Sequence, residues 1–481
     1  MKTLALALAT TVAALASSVL AADYVIAVER DTFADSAWRE VVQTLQKRHS
    51  AKVIRYDGNA ALEKMLPELR RLAPRYVAFV SRPETAGRDL VIGASQLLRR
   101  LDDDPFGDAL WGIVTGFDAA DALRIARAPA AREIRRPATS MGNAGALNGW
   151  EAGFASNEGN RNELWRKFPG GKTEKIDTRG NVAKSLAAAF NAIDVDYFVT
   201  SGHATQHDWQ IIYNQNAGSL RHDENANLVF RNPQGESFPL NRASPKIYLA
   251  AGNCLIGNID RRACMATAWL HDGGADQMCG YTVVTFFGFM GWGVKSILEE
   301  GRASFAEAYY LQNQILLWAL AQRKPGTERL ALTEPEFGGG HNAQHFLNTH
   351  VRDLVTAPDK NGKVRLDGDL FGMLWDRDIV AFYGDPAMRV TFPERCRTVK
   401  IEVNERNVTV RFLREVNFGA LSDVKSARPL ITLLDRPAAG KRLLDAAGKP
   451  VEKAVVNDRF LLIPLQGKHA AGTTLSFKLA D

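Results

Sequence analysis

Two residues have side chains that can do chemistry together. They are His203, which closes YFVTSGH, and Cys254, which closes KIYLAAGNC. Each ends a short apolar run, and they stand 51 positions apart. A thiol is a poor nucleophile while protonated. A neighbouring imidazole can lower its pKa, take its proton, and later return that proton to a leaving amine. Gly202 before the histidine and Gly252-Asn253 before the cysteine let the chain turn and approach a substrate. The main-chain N–H groups of Gly202, Ala204 and Cys254 are then candidates for an oxyanion hole. Against this stands a plainer role for Cys254, since free cysteine is among the most buried residue types.

Other constellations are weaker. His203 and His207 in HATQH are four apart and would share a helix face, with Cys254 as a third zinc ligand. That segment follows a strand, however, and the glutamate of HExxH is missing. His341, His345 and His350 in HNAQHFLNTH do not all share one face and read as a surface helix. Asp102-Asp103-Asp104 before Pro105 offers oxygen ligands that suit calcium as a structural ion, although a solvated turn with a helix cap is the stronger reading. Glu151 lies in an irregular stretch, where it can orient His203, read a basic substrate side chain, or simply face water. Asp194 and Asp196 precede the histidine strand and fall at the wrong end of a sheet for chemistry.

The elements that must position the pair alternate along the chain. From residue 22 to 130, YVIAV, KVIRY, RYVAFV and WGIVTG are strand-like, and AWREVVQTLQKR, ALEKMLPELRRL and DLVIGASQLLRRL carry helical spacing between them. This order predicts a parallel sheet covered by helices on both faces. Residues 131–175 are rich in Gly, Asn, Arg and Ser and read as linker and loops. The alternation resumes over 176–392, with VDYFVTSGH and KIYLAAGNC as strands and SFAEAYYLQNQILLWALAQ as a helix. In such sheets ligands bind beyond the carboxyl ends of the strands, which is where His203 and Cys254 fall. From 393 to 481 short alternating runs such as RTVKIEV and VTVRF predict a small immunoglobulin-like β-sandwich.

Length and composition bound the rest. The 481 residues are too many for one ordinary core. A net charge of +6 spread over that length, without a dense basic run, does not argue for nucleic acid. Residues 1–21 have a positive start at Lys2, an apolar middle and a small-residue site at Val19-Leu20-Ala21. They read as a secretory signal peptide cut after Ala21 or Ala22, and no later segment reads as a membrane span. An exported chain can oxidise its four cysteines. With Cys254 kept as a thiol, Cys264 with Cys279 is the expected disulfide.

A strand ending in His, followed about 50 residues later by one ending in Cys, resembles the caspase-type peptidases. Within that clan the chain is most similar to the gingipain-type cysteine peptidases. The resemblance rests on the His and Cys strands, on DDDPFGDALWGIVTGFDAADAL, and on Gly384-Asp385-Pro386 in FYGDPAMRV. It implies a caspase-like α/β fold: a parallel, mixed-edge sheet sandwiched by helices in two subdomains, followed by an immunoglobulin-like β-sandwich. It implies Cys254 as nucleophile, His203 as general acid, and Trp292 as an aromatic wall of the specificity pocket. The family's Gly after the histidine is Ala204 here, which would compromise the oxyanion hole if the loop needs positive φ. Cys254 is followed by Leu255-Ile256-Gly257, which match no family pattern.

The sequence therefore leads to an exported cysteine endopeptidase, periplasmic or extracellular, acting on protein or peptide substrates. No cofactor is required, and calcium is open as a structural ion. Two alternatives remain: an inactive homologue serving as a binding or scaffold protein, and a zinc-dependent hydrolase.

Overall fold

The computed structural model describes residues 23–213, 216–240, 244–359, 361–419 and 428–481. The segment read as a signal peptide lies outside the described residues, apart from its junction with Asp23. Among the described residues no helix is long and apolar enough to cross a membrane.

A single twelve-stranded sheet runs through the body. Its strands are β1 (Tyr24–Glu29), β2 (Lys52–Tyr56), β3 (Tyr76–Val80), β4 (Leu110–Val114), β5 (Pro137–Thr139) and β6 (Gly153–Asn157). They continue as β7 (Asn160–Lys167), β8 (Glu174–Lys175), β9 (Tyr197–Gly202), β10 (Lys246–Asn253), β11 (Ala275–Tyr281) and β12 (Val380–Gly384). The order across the sheet is β2-β1-β3-β4-β12-β11-β10-β9-β5-β6-β7-β8. β10 and β11 lie inside the sheet, and nearly every residue of both is buried, as expected for strands covered on two faces.

The sheet has the expected mixed edge, where β7 and β8 run antiparallel to their neighbours, and it also reverses direction in its middle. β1, β2, β3, β4 and β12 run one way. β11, β10, β9, β5 and β6 run parallel to one another. β11 meets β12 antiparallel, so the reversal sits in the middle of the sheet. The two subdomains are thus two parallel halves of opposite direction, and their carboxyl ends face opposite edges. Gly384-Asp385-Pro386 closes β12 and joins the first half, although it follows the second half in sequence.

Residues 131–175 were expected to be linker and loops, and here the sequence misled. They supply β5 to β8, which extend the second half to its edge. β6 is buried, yet Phe154 is its one large apolar residue among Gly, Ala, Ser and Asn, and β7, next to the edge strand β8, is polar along most of its length, so neither shows the usual signal.

Asp385 ties the two ends of the first half together. Its carboxylate accepts from Tyr24 Oη at 2.9 Å and the Ala387 N–H at 2.9 Å, and pairs with His49 Nε2 at 2.8 Å. The His49 ring also stacks on Tyr24. Burial alone would push the Asp385 carboxyl up, but the bonds from His49, Ala387 and Tyr24 hold it below its ordinary value.

After residue 393 the chain forms the expected two-sheet sandwich. Val399–Val403, Asn407–Phe412, Thr474–Ala480 and Arg442–Leu444 make one sheet, and Leu430–Leu433, Phe460–Ile463 and Val455–Val456 the other. Val408, Val410, Phe412, Leu461 and Ile463 form its own core. It docks on the body through Phe460 edge-on to Phe106 and through the Trp318 indole N–H to the Lys453 carbonyl at 2.9 Å.

The expected Cys264–Cys279 disulfide is not formed, and all four cysteines are free. Cys279 is buried within β11, and Cys264 caps the Met265–Leu270 helix through Thr267. Each thiol serves its own element.

Removing the Asp385 carboxylate leaves His49 and Tyr24 unpaired inside the body. Asp385→Ala should lower unfolding stability at pH 7 by about 3 kcal/mol in urea titration. Because the folded pKa is depressed, the difference between wild type and variant should be complete above the unfolded carboxylate range and fade as pH falls through it. A loss within about 0.5 kcal/mol would show that the tie is not structural.

Candidate active site

β9 and β10 pair in parallel with Tyr197 opposite Ile247 and Thr200 opposite Ala250. The register then shifts: Ser201 faces Gly252 and Gly202 faces Asn253. Ala251 is the extra residue of a β-bulge. The next residue on each strand is His203 on one and Cys254 on the other. Adjacent strands lie about 4.8 Å apart, so the pair share one corner at the carboxyl edge. Without the bulge His203 would fall opposite Asn253.

A buried polar network fixes that corner. Thr200 Oγ1 donates to Asn253 Oδ1 at 2.5 Å and contacts Tyr248 Oη at 2.8 Å. Asn253 Nδ2 donates to the Gly202 carbonyl at 3.2 Å, a direct bridge between the strand ends. The Trp209 indole N–H donates to the Ser201 carbonyl at 2.9 Å. A Cβ on residue 252 would come within 2.5 Å of Ser201 Oγ, so only glycine lets the strands approach this closely.

The His203 side chain is exposed and Cys254 half-buried. The imidazole stacks on Tyr213, with ring centroids 4.6 Å apart. Among the described residues no hydrogen bond joins the imidazole to Cys254 Sγ. The sulfur instead accepts the Thr285 N–H at 3.3 Å. Burial pushes the thiol above its ordinary pKa, against the lowering pull of main-chain N–H groups of Thr285, Cys254 and Ala204. Desolvation is the largest influence on this thiol, His203 is not among the groups that lower it, and the His203 ring stacks on Tyr213.

The same three N–H groups, around the nucleophilic atom, are the donors that a developing oxyanion needs. Ala204 and Cys254 match the expected set, and Thr285 is an addition from the chain after β11. The residue in the left-handed region is Gly202, with φ +97°, while Ala204 is not in that region. The Gly-to-Ala departure after the histidine thus introduces no strain at Ala204.

Trp292 lies near the cysteine strand: its Nε1 is 3.4 Å from where a Gly252 Cβ would be. It sits on the Phe289–Glu299 helix, whose first N–H is held by Asp376 at 2.6 Å. Burial pushes the Asp376 carboxyl up to about 7, against lowering bonds from Phe289 and Tyr281. Trp292, Phe286 and Tyr213 are 39%, 54% and 43% exposed, three large apolar side chains left uncovered around one corner. Such exposure marks a binding surface.

Glu151 is not brought to the pair. It precedes β6, and its N–H donates to the Arg135 carbonyl ahead of β5, so it lies at the amino ends of these strands. The carboxylate at the correct end is Glu158, just after β6. Its Oε2 lies 3.5 Å from where a Gly202 Cβ would be and is buried without a hydrogen-bond partner among the described residues. Burial pushes its pKa up. The sequence did not point to it, because β6 was hidden in an apparent loop.

The metal sets fare differently. His207 turns to His222, Asp260 and Arg261, at 3.0, 3.2 and 2.7 Å, so the zinc set with His203 and Cys254 is not assembled. His345 and His350 lie in a short α-turn followed by a π-helical stretch, and His341 precedes both; no metal group includes them among the described residues. Asp102 does join a group, but with Asp108 and Asp458 rather than with Asp103 and Asp104; one oxygen of each lies within 4.8 Å of the others. Asp108 is 4% exposed and its Oδ1 has no hydrogen-bond partner. Burial, then Asp102, Asp104 and Asp458, push its pKa up to about 8. An all-oxygen donor set with an unpaired buried oxygen fits a hard divalent cation. Asp196 accepts the Arg135 and Arg136 N–H groups at the amino end of β9 and plays no part in the site.

No family model matches this sequence, and no curated protein matches it. Solved structures show a remote likeness. The chain is similar to the complex of Porphyromonas gingivalis RgpB pro- and mature domains, at 12% identity over 95% of this chain and 96% of that one, with a TM-score of 0.40. It is similar to the Arg-specific cysteine proteinase gingipain R, at 12% identity over 96% and 92%, with a TM-score of 0.38. A third, described as a protease, stands at 8% identity over 95% and 97%, with a TM-score of 0.37. At such distances no residue role carries over, and the chemistry rests on the geometry of the corner itself.

Because burial raises the thiol and the His203 ring stacks on Tyr213, iodoacetamide labelling of Cys254 should still be accelerating at pH 9. Mass spectrometry of timed pulses from pH 6 to 10 measures this. A rate already level at pH 7 would mean an imidazole-ionised thiol and a different resting geometry.

Proposed function

We propose that the protein is an exported cysteine endopeptidase acting on protein or peptide substrates, with Cys254 as nucleophile and His203 as general base and acid. The observation that carries this reading is the bulged register that sets His203 and Cys254 on adjacent strand ends, next to main-chain donors around the sulfur and uncovered aromatic side chains.

The chemistry follows from the parts. A substrate carbonyl enters beside Cys254. The Sγ–H proton passes to His203 as Sγ bonds to the carbonyl carbon, and the oxygen takes the negative charge under the N–H groups of Ala204, Cys254 and Thr285. Collapse breaks the C–N bond, and the imidazolium gives its proton to the leaving amine. Water, deprotonated by His203, then attacks the thioester and restores the thiol. The resting thiol is protonated, so the thiol–imidazole contact forms when substrate is bound, as active-site hydrogen bonds often tighten only in the complex. Glu158 acts as a positioning residue: its unpaired buried oxygen, beside Gly202, is suited to hold the imidazole once that ring leaves Tyr213. Trp292 and Phe286 offer apolar walls to substrate side chains.

Cys254→Ala and His203→Ala should each abolish cleavage of a denatured protein substrate, at least 10³-fold in kcat/KM. Glu158→Gln should lower kcat roughly tenfold, leave KM nearly unchanged and shift the acidic limb of the pH profile. Cleavage retained by Cys254→Ala would end this reading and leave the scaffold alternative.

Calcium at Asp102, Asp108 and Asp458 would fasten the sandwich to the α/β body, because Asp458 belongs to the former and the other two to the latter. Calcium should raise the melting temperature by several degrees over EDTA, and Asp108→Asn should abolish the rise. An equal melting temperature with and without calcium would reject the site.

A further inference from the structure

The residues on the far side of His203 form a cleft of about 680 Å³. His203 and Ala204 are at its mouth, and Cys254 does not line it. Its other wall comes from a four-stranded antiparallel sheet of Asp208–Gln210, Ser219–His222, Leu228–Arg231 and Ser237–Pro239. In the proposed reaction the imidazole protonates the leaving amine, so the chain that follows the scissile bond must pass over His203. The cleft is therefore placed to receive the leaving-group side of a substrate.

Its charge is uneven. The charged side chains in its lining are Asp208, Arg221 and Arg231, besides His203. Asp208 is already engaged: it pairs with Arg221 at 3.1 Å and accepts from Thr205 Oγ1 at 2.9 Å. Arg231 uses Nε on the Gly235 carbonyl at 3.3 Å and has no carboxylate partner among the described residues. Gln234 stands beside it as a neutral side chain with N–H donors. An arginine with uncommitted terminal N–H groups, in a concave site one step from the reacting atoms, is suited to a bidentate carboxylate contact.

We infer that this cleft binds a carboxylate on the leaving-group side of the scissile bond, with Arg231 as its anchor. The inference rests on the peptidase reading for its orientation. The carboxylate can come from an acidic side chain within the first residues after the cut, or from the end of the substrate chain. These two sources share the same chemistry, and different peptides separate them.

The test uses the full chain. Fluorescent peptides identical except for Glu, Gln or Lys in the two positions after the cut, each with a free or amidated end, are titrated into the Cys254→Ala protein. Quenched versions are then cleaved by the wild type. The Glu peptide should bind at least tenfold more tightly than the Gln peptide, with the same ratio in kcat/KM, and Arg231→Gln should bring both ratios close to one. Arg231 is exposed, so the folded state should tolerate the change, and an unaltered melting temperature checks it. A preference that follows the free end and not the side chain assigns the cleft to a chain-terminal carboxylate. Equal binding of Glu, Gln and Lys peptides, free or amidated, overturns the inference while Cys254-dependent cleavage keeps the peptidase reading. Arg231-dependent preference without any cleavage keeps the carboxylate cleft and rejects the peptidase. A preference that survives Arg231→Gln rejects Arg231 as the anchor.

Discussion

The site depends on one extra residue. Ala251 has no partner across from it, and every residue after it on β10 is displaced by one against β9. That displacement turns a spacing of 50 into one of 51 and sets Cys254 opposite His203. A bulge is an interruption of the ladder and needs something to hold it. Here the holding group is Asn253, which accepts from Thr200 and donates to the Gly202 carbonyl across the strand ends. The network is buried, so each unpaired member would leave an unsatisfied polar group at a cost of about 1–3 kcal/mol. The register beyond the bulge is therefore well determined, and with it the position of the thiol.

The reversal of strand direction at β11 and β12 explains how the molecule keeps chemistry on one side. Only the β11, β10, β9, β5 and β6 half delivers its carboxyl ends to the His203 corner. The first half ends at the opposite edge, so its helices and its Asp385 tie serve as a brace. The long Phe305–Arg323 helix is buried over nearly its whole length, as suits an element inside the body rather than on its surface. The sandwich after residue 393 adds a core of its own and makes contact through Phe460, Trp318 and Lys453.

Much of this was legible in the sequence. The apolar runs ending in His203 and Cys254 showed the two strands and their reactive ends, because a buried parallel strand needs a continuous apolar run and a functional residue breaks it. Trp292 was placed near the site by family resemblance alone. What stayed hidden has physical causes. The 131–175 strands carry mostly small or polar side chains around Phe154, Leu164 and Trp165, so β6 and Glu158 looked like loop. The central reversal leaves no mark on either strand, since β11 and β12 are buried on both faces whichever way they run. The Asp102 cluster needed Asp458, which is distant in sequence and comes into reach only when the sandwich docks. The Cys264–Cys279 pairing was inferred from cysteine count, and count says nothing about which thiols a fold turns toward each other.

The main doubt raised by the sequence was Ala204, where the family has glycine. The backbone moves that doubt elsewhere. Gly202 takes the left-handed conformation, and Ala204 keeps its N–H close to the sulfur without it. The strained residue is on the other strand: Leu255, directly after the nucleophile, has φ +57° although it is not glycine and is buried. That conformation costs roughly 1–2 kcal/mol for a side chain of this kind. The Leu255 N–H bonds to the Val283 carbonyl, and two residues on the Thr285 N–H reaches Cys254 Sγ. The turn that strains Leu255 thus brings the 283–285 segment against the thiol and supplies one of the donors around it. Strain of this kind gathers where a geometry is held for function. Donors that converge on the Cys254 sulfur are what the proposed acyl transfer would use.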